Sequence, residues 1–346
     1  MEDVLFKIHD NGIAEIILNR PKALNSLNTS MLLKMKEKIL AWQDDTRVSA
    51  VLLSGSGEKG FCAGGDIKKL YAAKDSDENM KEALEFFDIE YEVDLLVSEF
   101  NKPIVAILDG IVMGGGVGLS YGASHRIITE KTKWAMPEMN IGFFPDVGAA
   151  YFLNQAPGYI GRYLALTSEI IRGEDIVYSN AVQHYIPSDR LPQFKETLLQ
   201  ADCQVEKIYD HLDKIIQEYA EPINQEKSNL ANLRSMIDEH FRHESVETII
   251  ESLTNSTDEF SVNTKNTILE KSPTSLKVTL AQLIKGEGQS FKTCLETDKR
   301  IVKNFLNHAD FYEGVRSVII DKGQNPKYQY KQLSDVSGEL VKSFFV

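Results

Sequence analysis

The sequence predicts an α/β core with a mostly helical C-terminal region. Three observations carry that expectation. Short strand-like runs alternate with amphipathic stretches up to about residue 187. From about residue 190 Lys, Glu, Gln and Leu dominate, and apolar residues recur at helical spacing. Between these, residues 102–151 place an apolar strand, a glycine cluster and two carboxylates in one stretch. A core over residues 1–190 and a helical region over 191–346, packed on that core, are expected.

Taken in order, Val4–Ile8 and Ala14–Leu18 read as a hairpin joined through Asp10-Asn11-Gly12. Asn28-Thr29-Ser30 caps a helix whose Met31, Leu32, Met35, Ile39 and Trp42 share one face. Ala50–Leu53 is a short buried strand, followed by a glycine-marked loop ending in Phe61-Cys62-Ala63-Gly64-Gly65-Asp66, with Asp66 placed to cap the next helix. The charged residues 74–82 are an exposed turn or a helix start. From Leu84 the pattern is helical, with Leu84, Phe87, Tyr91 and Leu95 on one stripe and Phe86, Glu90, Val93 and Val97 on another. Glu90 thus occupies an apolar position. A carboxylate at the stripe edge reaching water is the plain alternative, and the pattern leaves both readings open.

Ile104–Leu108 reads as a buried strand feeding Gly114-Gly115-Gly116 and a helix over Val117–Tyr121. His125–Ile128 and Lys133–Ala135 are short strands, and Asp146 looks like a helix start. Ser272-Pro273-Thr274 opens a helix with proline in its first turn. One last helix is expected over about 295–320, with an irregular tail from Asn325.

The chemistry concentrates in two loops and two acids. The FCAGGD (61–66) and MGGGVG (113–118) loops each follow a strand and precede a helix. If both open on one cleft, one N–H from each makes a two-donor oxyanion hole. The glycine run lacks the GxGxxG spacing of a dinucleotide site. Glu138 and Asp146 lie eight positions apart, separated by Ile141, Phe143 and Phe144. An apolar setting raises a carboxyl pKa and suits it to base chemistry near neutral pH. A helix cap for Asp146 and a solvated loop acid for Glu138 are the plain alternatives. His125 and His184 lack partners at catalytic spacing, and neither a GxSxG elbow nor an HExxH motif is present.

Composition narrows the classes. The chain has 346 residues, 42% hydrophobic and 26% charged, with a net charge of −13. That acidic surplus disfavours nucleic acid and anionic membranes as partners. Cys62, Cys203 and Cys294 have no paired spacing, which speaks against a disulfide framework or zinc site and for a reducing compartment. Cys62 reads as a small apolar filler in preference to a reactive thiol. No signal peptide and no membrane-spanning stretch is legible, so a cytoplasmic location is expected.

FCAGGDI, KPIVAILDGIVMGGGVGLS and AMPEMNIGFFPDVGAAYFL together resemble the crotonase (enoyl-CoA hydratase/isomerase) superfamily. SPTSLKVTLAQL (272–283) and HADFYEGVRSVIIDK (308–322) resemble its branch containing 3-hydroxyisobutyryl-CoA hydrolase, and the likeness runs from NRPKALNSLN to the tail. The resemblance implies a spiral core of ββα turns and an acyl-CoA substrate whose thioester carbonyl meets the backbone N–H groups of Gly65 and Gly115. Hydratases of the superfamily carry two glutamates. The first position is Gly118 here, and the second matches Glu138. The hydrolase branch is similar in having that glycine, in keeping Glu138 and in adding Asp146. Its further substrate-binding glutamate falls on Glu90, which favours function there. Glu138 would attack the thioester or activate a water, and Asp146 would orient the water or the substrate hydroxyl. No cofactor is implied, since CoA is part of the substrate. Lys22, Lys68 and Lys322 are candidates for the CoA phosphates, with a solvated surface charge the simpler reading of each. A homo-oligomer is also implied. A hydratase or isomerase with displaced acids and a non-catalytic binding protein are the alternatives.

Overall fold

The computed structural model describes residues 2–346. Strands β1 (Val4–Ile8) and β2 (Ile13–Leu18) form the expected antiparallel hairpin. Asn11 ties its turn: Oδ1 accepts from Ile13 N–H at 3.1 Å, and Nδ2 donates to Leu198 and Ala201 carbonyls. Asn28 caps helix α1 (Thr29–Asp44) by accepting from Met31 N–H at 2.9 Å, and the five apolar residues foreseen on one face are buried. There follow β3 (Ala50–Gly55), β4 (Gly60–Cys62), α2 (Ile67–Tyr71), α3 (Asp77–Ser98), β5 (Ile104–Leu108), β6 (Ile111–Met113), α4 (Gly115–Tyr121), β7 (His125–Ile128) and β8 (Lys133–Ala135). After them come α5 (Ala149–Phe152), α6 (Ile160–Thr167), α7 (Gly173–Tyr178) and β9 (His184–Tyr185). The rest is helical: α8 (Leu191–Gln200), α9 (Ile208–Tyr219), α10 (Asn229–Phe241), α11 (Val246–Thr254), α12 (Glu259–Leu269), α13 (Pro273–Gly286), α14 (Phe291–Phe305), α15 (Ala309–Val315) and α16 (Gly338–Ser343). No helix among the described residues is long and apolar enough to cross a membrane.

Two compact units are built from interleaved segments. The first comprises residues 1–65, 89–134 and 171–229, and the second 66–88, 135–170 and 230–346. The composition boundary at 190 falls inside the last segment of the first unit. The reason is packing. In that unit a six-stranded sheet runs in the order β1-β2-β3-β5-β7-β9, parallel from β2 onward. Ile13, Leu52, Val105, Ile107 and Ile127 of its strands form one core with Phe194 and Leu198 of α8 and Leu212 and Ile216 of α9. Helices α8 and α9 are therefore a cover of the sheet, and β5, buried along its whole length, reads as a continuous apolar run for that reason. A smaller sheet has the order β4-β6-β8.

The second unit is held by helices and an aromatic cluster. Phe143 lies 5.8 Å from Phe87, 5.4 Å from Phe305 and 5.2 Å from Phe311, ring centre to ring centre, and Phe144 stacks on Phe305 at 5.3 Å. Ser272 caps α13 as expected, accepting from Ser275 N–H and donating to the buried Asp310 carboxylate at 2.6 Å.

Three expectations need correction. Asp66 precedes α2 without capping it, because its backbone (φ −75°, ψ 78°) lies outside the extended region that aims an N-cap side chain. The single helix over 295–320 is two, α14 and α15, the latter running into a wide turn at Arg316–Ile320. The chain breaks at His308, whose extended backbone lets Nδ1 accept from Asp310 N–H and start a new helix. The tail holds a 3-10 turn, Leu333–Asp335, and α16, capped by Ser337.

Candidate active site

In the first unit the chain leaves β4 through Ala63-Gly64-Gly65. Gly64 has φ +97°, open to glycine, and its carbonyl accepts from Leu27 N–H at 2.8 Å. Burial raises the Cys62 thiol to about 12 against the Gly64 N–H contact, and the charges of Glu90 and Asp94 add to the rise. Cys62 is thus a neutral filler under the loop. The chain leaves β6 through Gly114 (φ +51°, ψ −122°) into α4, where Gly114 O accepts from Val117 N–H at 2.8 Å and Gly118 N–H at 3.2 Å. Gly115 and Gly116 begin that helix, so their N–H groups have no carbonyl one turn back to meet.

The two loops abut. A Cβ at Gly64 would stand 3.3 Å from Gly115 N, and one at Gly115 would stand 3.5 Å from Gly65 N. A Cβ at Gly115 would also overlap Glu90 Oε1. The structure therefore brings Gly65, Gly115 and Glu90 together, and any larger residue at 115 would displace the carboxylate. Glu90 is only 2% exposed, so the stripe-edge alternative is not realised. Sequence reasoning missed Asp94, one turn further along α3 and 0% exposed. Its signal was a second acid at i+4 from Glu90 on the same face.

In the second unit the structure brings Glu138 and Asp146 together. Glu138 opens a 3-10 turn, Glu138–Ile141, after Pro137. It is 7% exposed, and its Oε2 has no hydrogen-bond partner among the described residues. Burial, reinforced by the charge of Asp146, pushes its pKa well above the ordinary 4.5. A solvated loop acid is excluded by that burial. Asp146 is 5% exposed; Gly148, not Asp146, stands at the N-cap of α5, and the Asp146 carbonyl accepts from Ala149 N–H at 2.9 Å.

The turn carrying Asp146 is tied from behind. Asp298 Oδ2 accepts from Gly148 N–H at 2.8 Å, and Gln282 Nε2 donates to Asp298 Oδ1 at 2.7 Å and to Pro145 O at 2.9 Å. Sequence reasoning missed both residues. Asp298 lies among Cys294, Leu295, Ile301 and Val302 on the buried face of α14, the same signal that singled out Glu90. Lys22, Lys68 and Lys322 are all exposed.

In the first unit a donor pair beside a buried carboxylate suits chemistry that builds charge on an oxygen, and in the second a pair of acids, one with its pKa raised, suits moving a proton. Comparison with known proteins identifies the family. A family model described as enoyl-CoA hydratase/isomerase matches residues 13–345. The mitochondrial 3-hydroxyisobutyryl-CoA hydrolase of Xenopus tropicalis is 39% identical over 337 residues, covering 96% of this chain and 86% of that one. The small ribosomal subunit protein mS47 of Neurospora crassa is 36% identical over 348 residues, covering 96% and 68%. Among solved structures, a carnitinyl-CoA dehydratase from Mycobacterium thermoresistibile superposes with a TM-score of 0.91 at 36% identity, covering 100% of this chain and 97% of that one. The spiral α/β fold with a helical C-terminal region is shared with it, and this chain belongs to the enoyl-CoA hydratase/isomerase, or crotonase, family.

Proposed function

We propose that this protein hydrolyses the thioester of a short 3-hydroxyacyl-CoA, 3-hydroxyisobutyryl-CoA in the first instance, to the free acid and CoA. The observation that carries this reading is Glu138: buried, with one carboxylate oxygen unpartnered and its pKa raised. The glycine at 118, where a hydratase of this superfamily carries its other glutamate, supports hydrolysis over hydration, as do the names of relatives such as the Xenopus tropicalis enzyme.

In this reading the carbonyl oxygen accepts from the N–H groups of Gly65 and Gly115, which hold the charge that develops on it. Glu138 takes a proton from the attacking water, or attacks the carbonyl itself and leaves a mixed anhydride for water to open. The C–S bond breaks, and CoA departs as a thiolate that is protonated in solution. Asp146 orients the water, and Glu90 meets the β-hydroxyl. Lys22, Lys68 and Lys322 stay candidates for the CoA phosphates, with a solvated surface charge the simpler reading of each. No cofactor is called for beyond the CoA of the substrate, a homo-oligomer is the assembly we propose, and the three buried free thiols suit a reducing compartment, cytoplasmic in this reading.

A second reading has an observation of its own: the likeness to mS47, named as a ribosomal protein, allows a chain that binds without catalysing. Incubation with 3-hydroxyisobutyryl-CoA separates the cases. Free CoA is expected. An enoyl-CoA product would mean a dehydratase, and no turnover would favour the binder.

A further inference from the structure

We propose that Asp298 is a positioning residue for the reaction: with Gln282 it clamps the turn 145–148 and so holds Asp146 against Glu138. This rests on the hydrolase reading for its catalytic consequence, though the placement itself does not. The turn is strained. Val147 has φ +51°, in the left-handed region that a β-branched side chain rarely adopts, and Gly148 follows at φ +78°. Such a conformation persists only where its surroundings over-determine it. Here the surroundings are two hydrogen bonds onto the backbone of the turn: Pro145 O from Gln282 at 2.9 Å, and Gly148 N–H to Asp298 at 2.8 Å. The Gln282–Asp298 bond at 2.7 Å locks the two clamps together. Asp298 is 0% and Gln282 1% exposed.

Nothing in the helical packing requires an acid at that place. Burial lifts the Asp298 pKa well above the ordinary 3.8, opposed by the Gly148 N–H, and the Asp146 charge adds to the rise. Burying such a group is costly unless its bonds are kept, so its presence on the apolar face of α14 points to a use. Asp146 is also the charge that helps raise Glu138. The clamp therefore sets both the place of Asp146 and the proton affinity of Glu138. The charged groups around the turn are Glu138, Asp146 and Asp298, with Lys271 Nζ held at 2.5 Å on Asn140 Oδ1 along the same 3-10 turn.

The test reads the Glu138 side chain directly. In the free protein its carbon-13 carboxyl titration is followed by NMR in wild type, Asp298→Asn and, as the reference, Asp146→Asn. Asp298→Asn is expected to lower the Glu138 midpoint toward that of Asp146→Asn, because Asp146 is no longer held close. An unchanged midpoint overturns the proposal whatever the activity. On hydrolysis of 3-hydroxyisobutyryl-CoA, Asp298→Asn is expected to lower kcat about tenfold to a hundredfold, the scale of a misplacement near 1 Å. KM should stay within about twofold, since no substrate contact is removed. A shifted midpoint in a chain without turnover would sink the hydrolase reading and keep the placement. Should Asp298→Asn fail to fold, Gln282→Leu removes one clamp without touching a charge, and the same shift or its absence decides.

Discussion

At the scale of single residues, polar groups sit where apolar ones belong. Glu90, Glu138 and Asp298 are each buried at positions that packing alone would fill with a hydrocarbon. Replacing Glu138 by Gln removes the base while keeping shape, and thioester hydrolysis is expected to fall at least about a hundredfold with CoA-ester binding retained. Near-normal turnover in a steady-state assay would rule out the role. The same variant should be more stable than wild type at pH 7. A carboxyl whose folded pKa is raised stabilises the fold below its unfolded value near 4.5 and withdraws that stability as pH climbs. The gain, about 1–2 °C in Tm if it is worth about 1 kcal/mol, should vanish by about pH 4. Glu90 makes a different prediction. If it meets the substrate hydroxyl, wild type should prefer a 3-hydroxyacyl-CoA over the plain acyl-CoA of equal length by about 1–3 kcal/mol in kcat/KM. Glu90→Ala should narrow that ratio mainly by slowing the hydroxylated ester, and an unchanged ratio would return Glu90 to packing.

At the scale of elements, helices are fixed by their caps and by what they cover. Ser272 illustrates the first. Its hydroxyl caps the start of α13 and also satisfies the buried Asp310, so Ser272→Ala should cost about 1–3 kcal/mol in urea unfolding, more than a cap alone. Phe194 illustrates the second. It is fully buried between α8 and the sheet, and Phe194→Ala should cost about 3–5 kcal/mol at unchanged m-value. Element identity was legible in the sequence wherever a period and a cap agreed, as in α1 and α13. It was less so where backbone geometry overrode the capping residue. Asp66 has the right chemistry for a cap but makes no side-chain bond to α2, Gly148 and not Asp146 takes the N-cap of α5, and the break at His308 carries no glycine or proline to announce it.

At the scale of the whole molecule, two populations of carboxylates pull stability in opposite directions with pH. Asp45, held by Arg47 down to about 2, and Glu313, held low by Arg316, stabilise above their ordinary values and lose that contribution as pH falls. Glu138 and Asp298, raised by burial, do the reverse and lose theirs as pH rises. Stability measured by chemical denaturation should therefore rise from acid toward about pH 4–5 and then decline toward neutrality. The double variant Glu138→Gln, Asp298→Asn should flatten the decline and leave the acid limb in place. A decline of equal slope in the double variant would show that other groups govern it.

The sequence by itself determined the alternation of strands and helices, the two glycine loops, the family, and the place of Glu90 on an apolar stripe, because each is written in local pattern: a period, a spacing or a motif. Only tertiary structure decided that α8 and α9 cover the sheet, that Gly115 and Glu90 touch, and that Asp298 and Gln282 hold the turn of Asp146 from more than a hundred residues away. Their physical reason is common. Hydrogen bonds and burial between distant segments depend on which surfaces meet, and a lone acid on an apolar stripe signals that a partner is needed without saying which part of the chain supplies it.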